Sequence, residues 1–225
     1  MHATAPPDWL LWQLADSAFP TGGFAHSGGV EAAFQHGDLR TSADLFAFLE
    51  AALSQAGSSS VPFVSAAFDS TLPFTTVDSM CDAFTSNHVA NRASRLQGRA
   101  FLSSASRSFP ATGIATLREQ VQTAESPAHF APVFGAVARI LELERRSALR
   151  LFLFTQLRGW ISSAVRLGVV GPIEAQSIQA RLAPIAEETA RRSANATLDS
   201  VSQTAPLIDL FQGAQDRLYS RLFQS

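Results

Sequence analysis

Apolar residues recur at intervals of three and four positions through most of this 225-residue chain, as on one face of an α-helix. The run containing Leu45, Leu49 and Leu53 illustrates the pattern. No stretch alternates apolar and polar residues for long enough to predict a sheet, and no Asn-Gly dipeptide marks a hairpin. The length suits one sizeable core. The sequence therefore predicts an all-α, single-domain, bundle-like protein of many helices joined by short turns.

The basic residues and the cysteine content exclude several kinds of site. All 17 basic residues are arginines. A phosphate-binding P-loop needs a lysine and a Schiff-base enzyme needs its amine, so both are excluded. Cys81 is the only cysteine, which excludes an internal disulfide and a cysteine-based structural zinc site. We expect Cys81 to be a small buried apolar residue.

Charge and hydropathy limit the classes of partner. The net charge of −2 lacks the basic excess that is typical of a nucleic-acid-binding protein. Charged residues make up 16% of the chain, against about 25% in an average protein. We interpret this as a surface that is partly covered by protein partners.

The most apolar run does not have the character of a membrane span. It extends over residues 149–167 but contains Arg150, Arg158 and Arg166, whereas a span needs about 20 residues with few or no charges. We expect a buried helix here. The first eight residues have neither a basic region nor an apolar region of a signal peptide, so we expect a cytoplasmic protein.

Local signals predict where several helices begin and end. Gly37 is expected to end a helix over residues 30–36, and Pro172 and Pro206 are expected to open two others. Polar side chains at helix starts are expected to cap five helices. These are Asp8 for residues 9–19, Ser42 for 43–56, Asp78 for the helix that follows, Thr116 with Glu119 for a helix to 124, and Ser147 for a helix to 167.

The most unusual stretch is residues 16–31, which we call the glycine turn. Two Gly-Gly pairs, starting at Gly22 and Gly28, bracket Phe24, His26 and Ser27, with an apolar run on either side. Glycine permits backbone angles and close approaches that other residues do not. One interpretation is a plain connection between two helices. The other is an interaction surface that the two helices hold in place.

The sequence offers one candidate for a catalytic or metal site. Among the five histidines there is no His-x-x-x-His spacing, and no Gly-x-Ser-x-Gly motif occurs. His26 and His36, together with Asp16 and Glu31, are the residues that a small helical metal-binding protein or enzyme would use. The missing signatures favour a binding or scaffolding protein that is not an enzyme.

The two ends of the chain carry the motifs of a known family. The opening motif comprises Leu10–Ser17, Pro20, Gly22-Gly23-Phe24, His26-Ser27, Gly29 and Glu31, and the closing motif is Leu218-Tyr219-Ser220-Arg221-Leu222-Phe223-Gln224-Ser225. Between them stand Asn91–Gly98 and the segment from His129 to Gly135. In all of these the chain resembles the family of the urease accessory protein UreF. It departs from that family's pattern at Gln215-Asp216, where the family often has His-Glu.

The resemblance implies an all-α homodimer that is not an enzyme and acts in nickel insertion into urease. It implies binding to UreD (also called UreH), chiefly through residues 206–225, recruitment of the GTPase UreG, and presentation of nickel to apo-urease. No cofactor would be held by the chain itself, because the complex would handle nickel and the partner would bind GTP. Neither a nucleic acid nor a membrane is among the implied partners.

The residues expected to contact partners fall into three groups. They are Gly22, Gly23, Phe24, His26, Ser27 and Glu31 in the glycine turn; Ser94, Arg95, Gln97 and Gly98 in the middle motif; and Leu218, Tyr219, Arg221, Leu222 and Phe223 at the end. The final segment either becomes ordered on docking to a partner or packs on its own core. The arginine stripe formed by Arg92, Arg95 and Arg99 either faces solvent or contacts an acidic partner group.

Overall fold

The computed structural model describes residues 7–225, and these form eleven α-helices with no strand among them. The helices are α1 Pro7–Ala15, α2 Val30–His36, α3 Ser42–Ser59, α4 Val61–Asp69, α5 Phe74–Phe84, α6 His88–Ser108, α7 Ile114–Thr123, α8 Phe130–Ile140, α9 Arg145–Arg166, α10 Pro172–Ser193 and α11 Pro206–Ala214. Short 3₁₀ helices cover Gly23–Ala25, Leu198–Ser200 and Gln215–Arg217. The prediction of an all-α protein is confirmed.

Helix α8 is the centre of the core. Every residue from Phe130 to Ala138 is buried. Gly135 lies against the backbone of Val64 in α4, and a Cβ atom at position 135 would collide with the Val64 carbonyl oxygen. This close approach lets α4 and α8 pack along their length. Helices α5, α6 and α9 also pack against α8.

Aromatic rings join α6, α8 and α9 around this centre. Phe101 stacks on Phe134 with ring centroids 5.6 Å apart, and Phe130 stacks on Phe152 at 5.7 Å. All four side chains are at most 3% exposed. Such a cluster combines large apolar burial with specific ring geometry, so it fixes the positions of α6, α8 and α9 relative to one another.

Predictions that depend on backbone chemistry are confirmed. Gly37 adopts a left-handed conformation with φ of 84° and ends α2, as expected of a glycine in that position. Pro172 and Pro206 stand in the first turns of α10 and α11. Cys81 is buried, and burial raises the pKa of its thiol to about 12.

The predicted side-chain caps are all wrong. Thr41, paired with Asp44, caps α3 one residue before Ser42, and Glu144 rather than Ser147 caps α9. Thr116 lies inside α7, whose N-terminal residue has no side-chain cap. Asp8 lies in the first turn of α1 rather than at its cap, and α1 ends at Ala15. Several polar residues near each helix start compete for the cap, so spacing alone does not select one.

Within residues 7–225, no helix is long and apolar enough to cross a membrane. Nine residues of helix α9 are buried in the core, including Leu149, Phe152 and Leu157. The prediction that this apolar run is a buried helix is confirmed.

Candidate docking site

The glycine turn is shaped by left-handed glycines. Gly22, Gly28 and Gly29 have φ angles of 75°, 63° and 95°, which side chains other than glycine rarely adopt. At position 28 a Cβ atom would also collide with the indole ring of Trp160. The observed conformation of the turn therefore requires glycine at these positions.

Residues 218–225, which we call the C-terminal strap, contact this turn through residues 222–225. The Gln224 N–H donates to the carbonyl oxygen of Ala25 at 2.8 Å, and the Ser27 N–H donates to that of Ser225 at 2.5 Å. The Nδ1 atom of His26 lies 2.5 Å from the Ser225 hydroxyl. The two motifs at opposite ends of the sequence are thus one structural unit.

Glu31 lies at the centre of this unit and is 1% exposed. Its carboxylate accepts hydrogen bonds from the backbone N–H groups of Leu222 at 2.6 Å and Phe223 at 3.1 Å. The side-chain amide of Gln215 donates a third at 2.5 Å. Gln215 stands where the resembling family often has histidine, and here its amide is buried and serves Glu31.

Arg166 of α9 contacts both the turn and the strap, and we call this set of contacts the Arg166 clamp. Its guanidinium carbon lies 3.8 Å from the ring centre of Phe24 and 4.2 Å from that of Phe223. Its Nη1 atom donates to the Phe24 carbonyl oxygen at 2.7 Å. A cation between two aromatic faces is attracted to both, so Arg166 couples the turn to the strap.

Asp216 connects the base of the strap to α6. It accepts a two-pronged hydrogen bond from Arg92 at 2.8 and 3.1 Å and a further bond from Arg221 at 3.2 Å. His88 lies 3.4 Å away. The Arg92 hydrogen bonds are the main cause that lowers the pKa of Asp216. Arg92 is thus an exposed side chain that is paired within its own chain, and Arg99 of the same stripe is exposed as well.

His26 is partly buried in this unit. Burial, and secondly the positive charge of Arg92, lower the pKa of His26. The imidazole is therefore neutral at neutral pH. A neutral ring suits a hydrogen bond with the Ser225 hydroxyl.

The strap has an inner and an outer side. Phe223 is 4% exposed, whereas Tyr219 is fully exposed and Leu222 is 53% exposed. Helix α11, which also packs on α2, presents Leu207 and Leu210 at 66% and 68% exposure. In this structure the strap packs on its own chain, as in the second of the two alternatives predicted from the sequence for the final segment. The outer side of the strap is exposed.

The middle motif serves the interior of the chain. The Ser94 hydroxyl accepts from the Phe130 N–H at 3.2 Å and lies 3.0 Å from His129 Nδ1, and His129 Nε2 lies 2.9 Å from Asp82. Gly98 allows the backbone before α8 to approach α6, because a Cβ there would collide with the Ala128 carbonyl oxygen.

Only some of the predicted partner-binding residues face outward. Gly22, Phe24, Tyr219, Arg221 and Leu222 are exposed, and Gly23, His26, Ser94, Arg95, Gln97 and Leu218 are partly exposed. The remaining four, Ser27, Glu31, Gly98 and Phe223, are buried and shape the site from within. Sequence reasoning treated motif residues alike, since burial is a property of the folded chain.

Asp78 stabilises the fold from inside the core, whereas the sequence predicted it as a helix cap. It lies inside α5, fully buried, and its carboxylate accepts hydrogen bonds from the Ser126 hydroxyl at 2.5 Å and from the N–H groups of Ala128 and His129 at 2.7 and 2.8 Å. It thereby holds the segment before α8, in which Ala128 has a φ of 62°. No local signal links it to residues some fifty positions later.

The four residues of the alternative metal or enzyme site have separate roles. Asp16 accepts from the Ala18 N–H at 2.9 Å, His26 contacts Ser225, Glu31 holds the strap, and His36 is exposed at the end of α2. In the part of the chain that the structure describes, no three acidic, histidine or cysteine side chains are grouped so as to hold a metal ion.

A cleft of about 380 Å³ adjoins the glycine turn and runs between α3, α6, α9 and α11. Its lining combines apolar side chains such as Phe130 and Phe152 with uncharged polar ones such as Gln97 and Gln156. His26 and Ser225 also border it, so the strap forms part of its wall.

Known proteins resemble the chain along almost its full length. The UreF family profile matches residues 39–183. Urease accessory protein F of Oryza sativa subsp. indica is 36% identical over 221 residues, which cover 96% of this chain and 84% of the relative. Urease accessory protein F of Arabidopsis thaliana is 35% identical over 228 residues, covering 100% and 95%, and urease accessory protein UreF of Bradyrhizobium diazoefficiens is 29% identical over 223 residues, covering 96% and 91%. These matches place the chain in one class with the urease accessory proteins. It belongs to the UreF family.

Proposed function

We propose that this protein is a cytoplasmic scaffold in the maturation of urease, and that it bridges UreD (UreH) and the GTPase UreG to apo-urease for nickel insertion. It acts as a homodimer and by surface contact, without catalysing a reaction. Nickel is handled by the complex, and GTP is bound by UreG. Family membership supports the role, and the union of the glycine turn with the C-terminal strap supports the mode of action.

The outer side of the strap is the proposed docking surface for UreD. Tyr219 and Leu222 face outward there, next to the exposed leucines Leu207 and Leu210 of α11. Aromatic and aliphatic anchors of this kind dominate the energy of protein interfaces. Because Glu31 and Phe223 hold the inner side, these anchors are already positioned before a partner arrives.

The glycine turn is the proposed docking surface for UreG. The Phe24 ring is 71% exposed and rests on Arg166, so it is an aromatic group held in one place at the tip of the turn. Gly22 and Gly23 expose backbone beside it. A preformed and rigid aromatic contact costs little ordering entropy on binding.

The test is reconstitution of urease activation from apo-urease, UreD, UreG, nickel and GTP, with and without this chain. We expect active urease to accumulate only in its presence. The Gly23→Leu variant should keep its helical circular dichroism spectrum but lose co-purification of UreG with UreD, because a Cβ at position 23 would lie 2.9 Å from the Gln97 amide and the side chain would disturb the surface.

A matched control is Gly171→Leu, since no atom lies within 4 Å of a Cβ built at that glycine. It should activate urease and recruit UreG as the parent does. Equal activation with and without the chain would contradict the proposed role, and unchanged UreG recruitment by the Gly23 variant would contradict the role of the turn.

A further inference from the structure

We propose that Glu31 is a positioning residue, which sets the register of the C-terminal strap and so turns Tyr219 and Leu222 outward as a preformed docking surface. This inference rests on the proposed binding of UreD to the strap. It reassigns Glu31 from a residue that touches a partner to one that acts through the strap.

The hydrogen bonds of Glu31 are specific for register. The N–H groups of two consecutive residues, Leu222 and Phe223, donate to the two different oxygens of its carboxylate. A shift of the strap by one residue would present a different pair of amides and would move Phe223 out of the pocket where it is 4% exposed. The outward placement of Leu222 is therefore tied to the position of one buried carboxylate.

The charge of Glu31 has no other stabilising partner of equal strength. None of the ion pairs formed among residues 7–225 involves Glu31. Its remaining contact, with the side-chain amide of Gln35, is long at 3.5 Å. A buried carboxylate is costly unless it is hydrogen-bonded. The strap and Gln215 supply those hydrogen bonds, so Glu31 and the strap stabilise each other.

Other contacts also hold the strap, but among residues 7–225 only Glu31 accepts hydrogen bonds from the backbone N–H groups of Leu222 and Phe223. The Arg166 clamp acts on ring faces, which tolerate sliding, and Asp216 binds side chains at the base of the strap rather than its backbone. Backbone bonds on either side of Leu222 and Phe223 assist Glu31: Gln35 Nε2 donates to the Ser220 carbonyl oxygen at 2.8 Å, and residues 224 and 225 bond to Ala25 and Ser27. Glu31 is the contact made at the position where the strap divides into inner and outer sides.

The experiment compares the full-length parent with Glu31→Gln, which keeps the shape of the side chain but replaces one accepting oxygen with a donor. Hydrogen exchange of the strap amides and binding to tagged UreD are measured on the same preparations. We expect the Leu222 and Phe223 amides to exchange about ten- to a hundredfold faster in the variant, and UreD binding to weaken by at least about tenfold. Glu31→Asp, which keeps the charge, should restore part of both.

Glu50→Gln on the exposed side of α3 is the matched control and should change neither readout. If Glu31→Gln does not fold, Gln215→Met serves instead, because it removes one donor to the carboxylate and keeps the side-chain volume. Unchanged strap exchange in these variants, or faster exchange with undiminished UreD binding, would overturn the positioning role and leave the proposed function standing. If the parent itself does not bind UreD, the proposed function and this inference both fail.

Discussion

Two buried carboxylates each connect segments of the chain that are distant in sequence. Glu31 and Asp78 are each at most 1% exposed, and each accepts three hydrogen bonds of 3.1 Å or less from segments far away in sequence. Hydrogen bonds to a charged acceptor are about twice as strong as neutral ones. The two residues therefore act as junctions, one for the core and one for the candidate site.

The Asp78→Asn substitution tests the core junction. An amide offers only one accepting oxygen, so at least one of the donors from Ser126, Ala128 and His129 loses its acceptor inside the protein. We expect the free energy of unfolding to fall by about 1–3 kcal/mol, the typical cost of a buried unsatisfied group. Urea denaturation followed by circular dichroism measures it.

The exposed Asp38→Asn variant is the control and should be as stable as the parent. A stability of Asp78→Asn equal to that of the parent would show that the Asp78 hydrogen bonds do not hold the segment before α8.

At the scale of elements, the strap is braced to α6 by an ion pair that depends on pH. The pKa of Asp216 is lowered chiefly by Arg92, so the folded state binds a proton on this carboxylate less readily than the unfolded state does. The contribution of Asp216 to stability is thus present above the ordinary aspartate pKa of about 3.9 and is lost as the pH falls through the lower folded-state pKa.

Comparison with Asp216→Asn isolates this brace. We expect the melting temperature of the variant to lie below that of the parent at neutral pH, and the difference to disappear as the pH falls below about 4. Differential scanning calorimetry of both proteins across that range measures it. A difference that is the same at every pH would show that the charge of Asp216 has no part in holding the strap.

The elements differ in how far the sequence predicts them. Gly37, Pro172 and Pro206 mark helix ends correctly because their effect is on their own backbone angles. The contact between Glu31 and Leu222 joins residues 191 positions apart, and no periodicity or spacing contains it. For the same reason Asp78 looked like a helix cap: its three donors come from a segment that only the tertiary fold brings near.

The candidate site could be predicted in composition but not in construction. The family motifs singled out the glycine turn and the end of the chain, and the structure brings these two segments into contact. The resemblance does not record which side of a segment the motif residues occupy. Phe223 and Tyr219 stand in the same motif, yet one is buried against Arg166 and the other is fully exposed. That distinction arises only when the strap is seated on the turn.

At the scale of the whole molecule, the two ends of the chain meet at one surface. The helices between them, centred on α8, hold α2, α6 and α9 in the places from which Glu31, Arg92 and Arg166 reach the strap. This unit exposes Phe24 on the glycine turn and Tyr219 and Leu222 on the strap. In the proposed function, the side chains on the turn and those on the strap contact different partners.

The proposed binding of UreD to the outer side of the strap is tested most directly by the affinity of tagged UreD for the Leu222→Ser variant. Leu72→Ser is the matched change at an exposed leucine outside the site. We expect at least about a tenfold loss of affinity for the Leu222 variant, as for an interface anchor, and none for the Leu72 variant. Equal affinity of UreD for the parent and for the Leu222 variant would contradict the proposed binding.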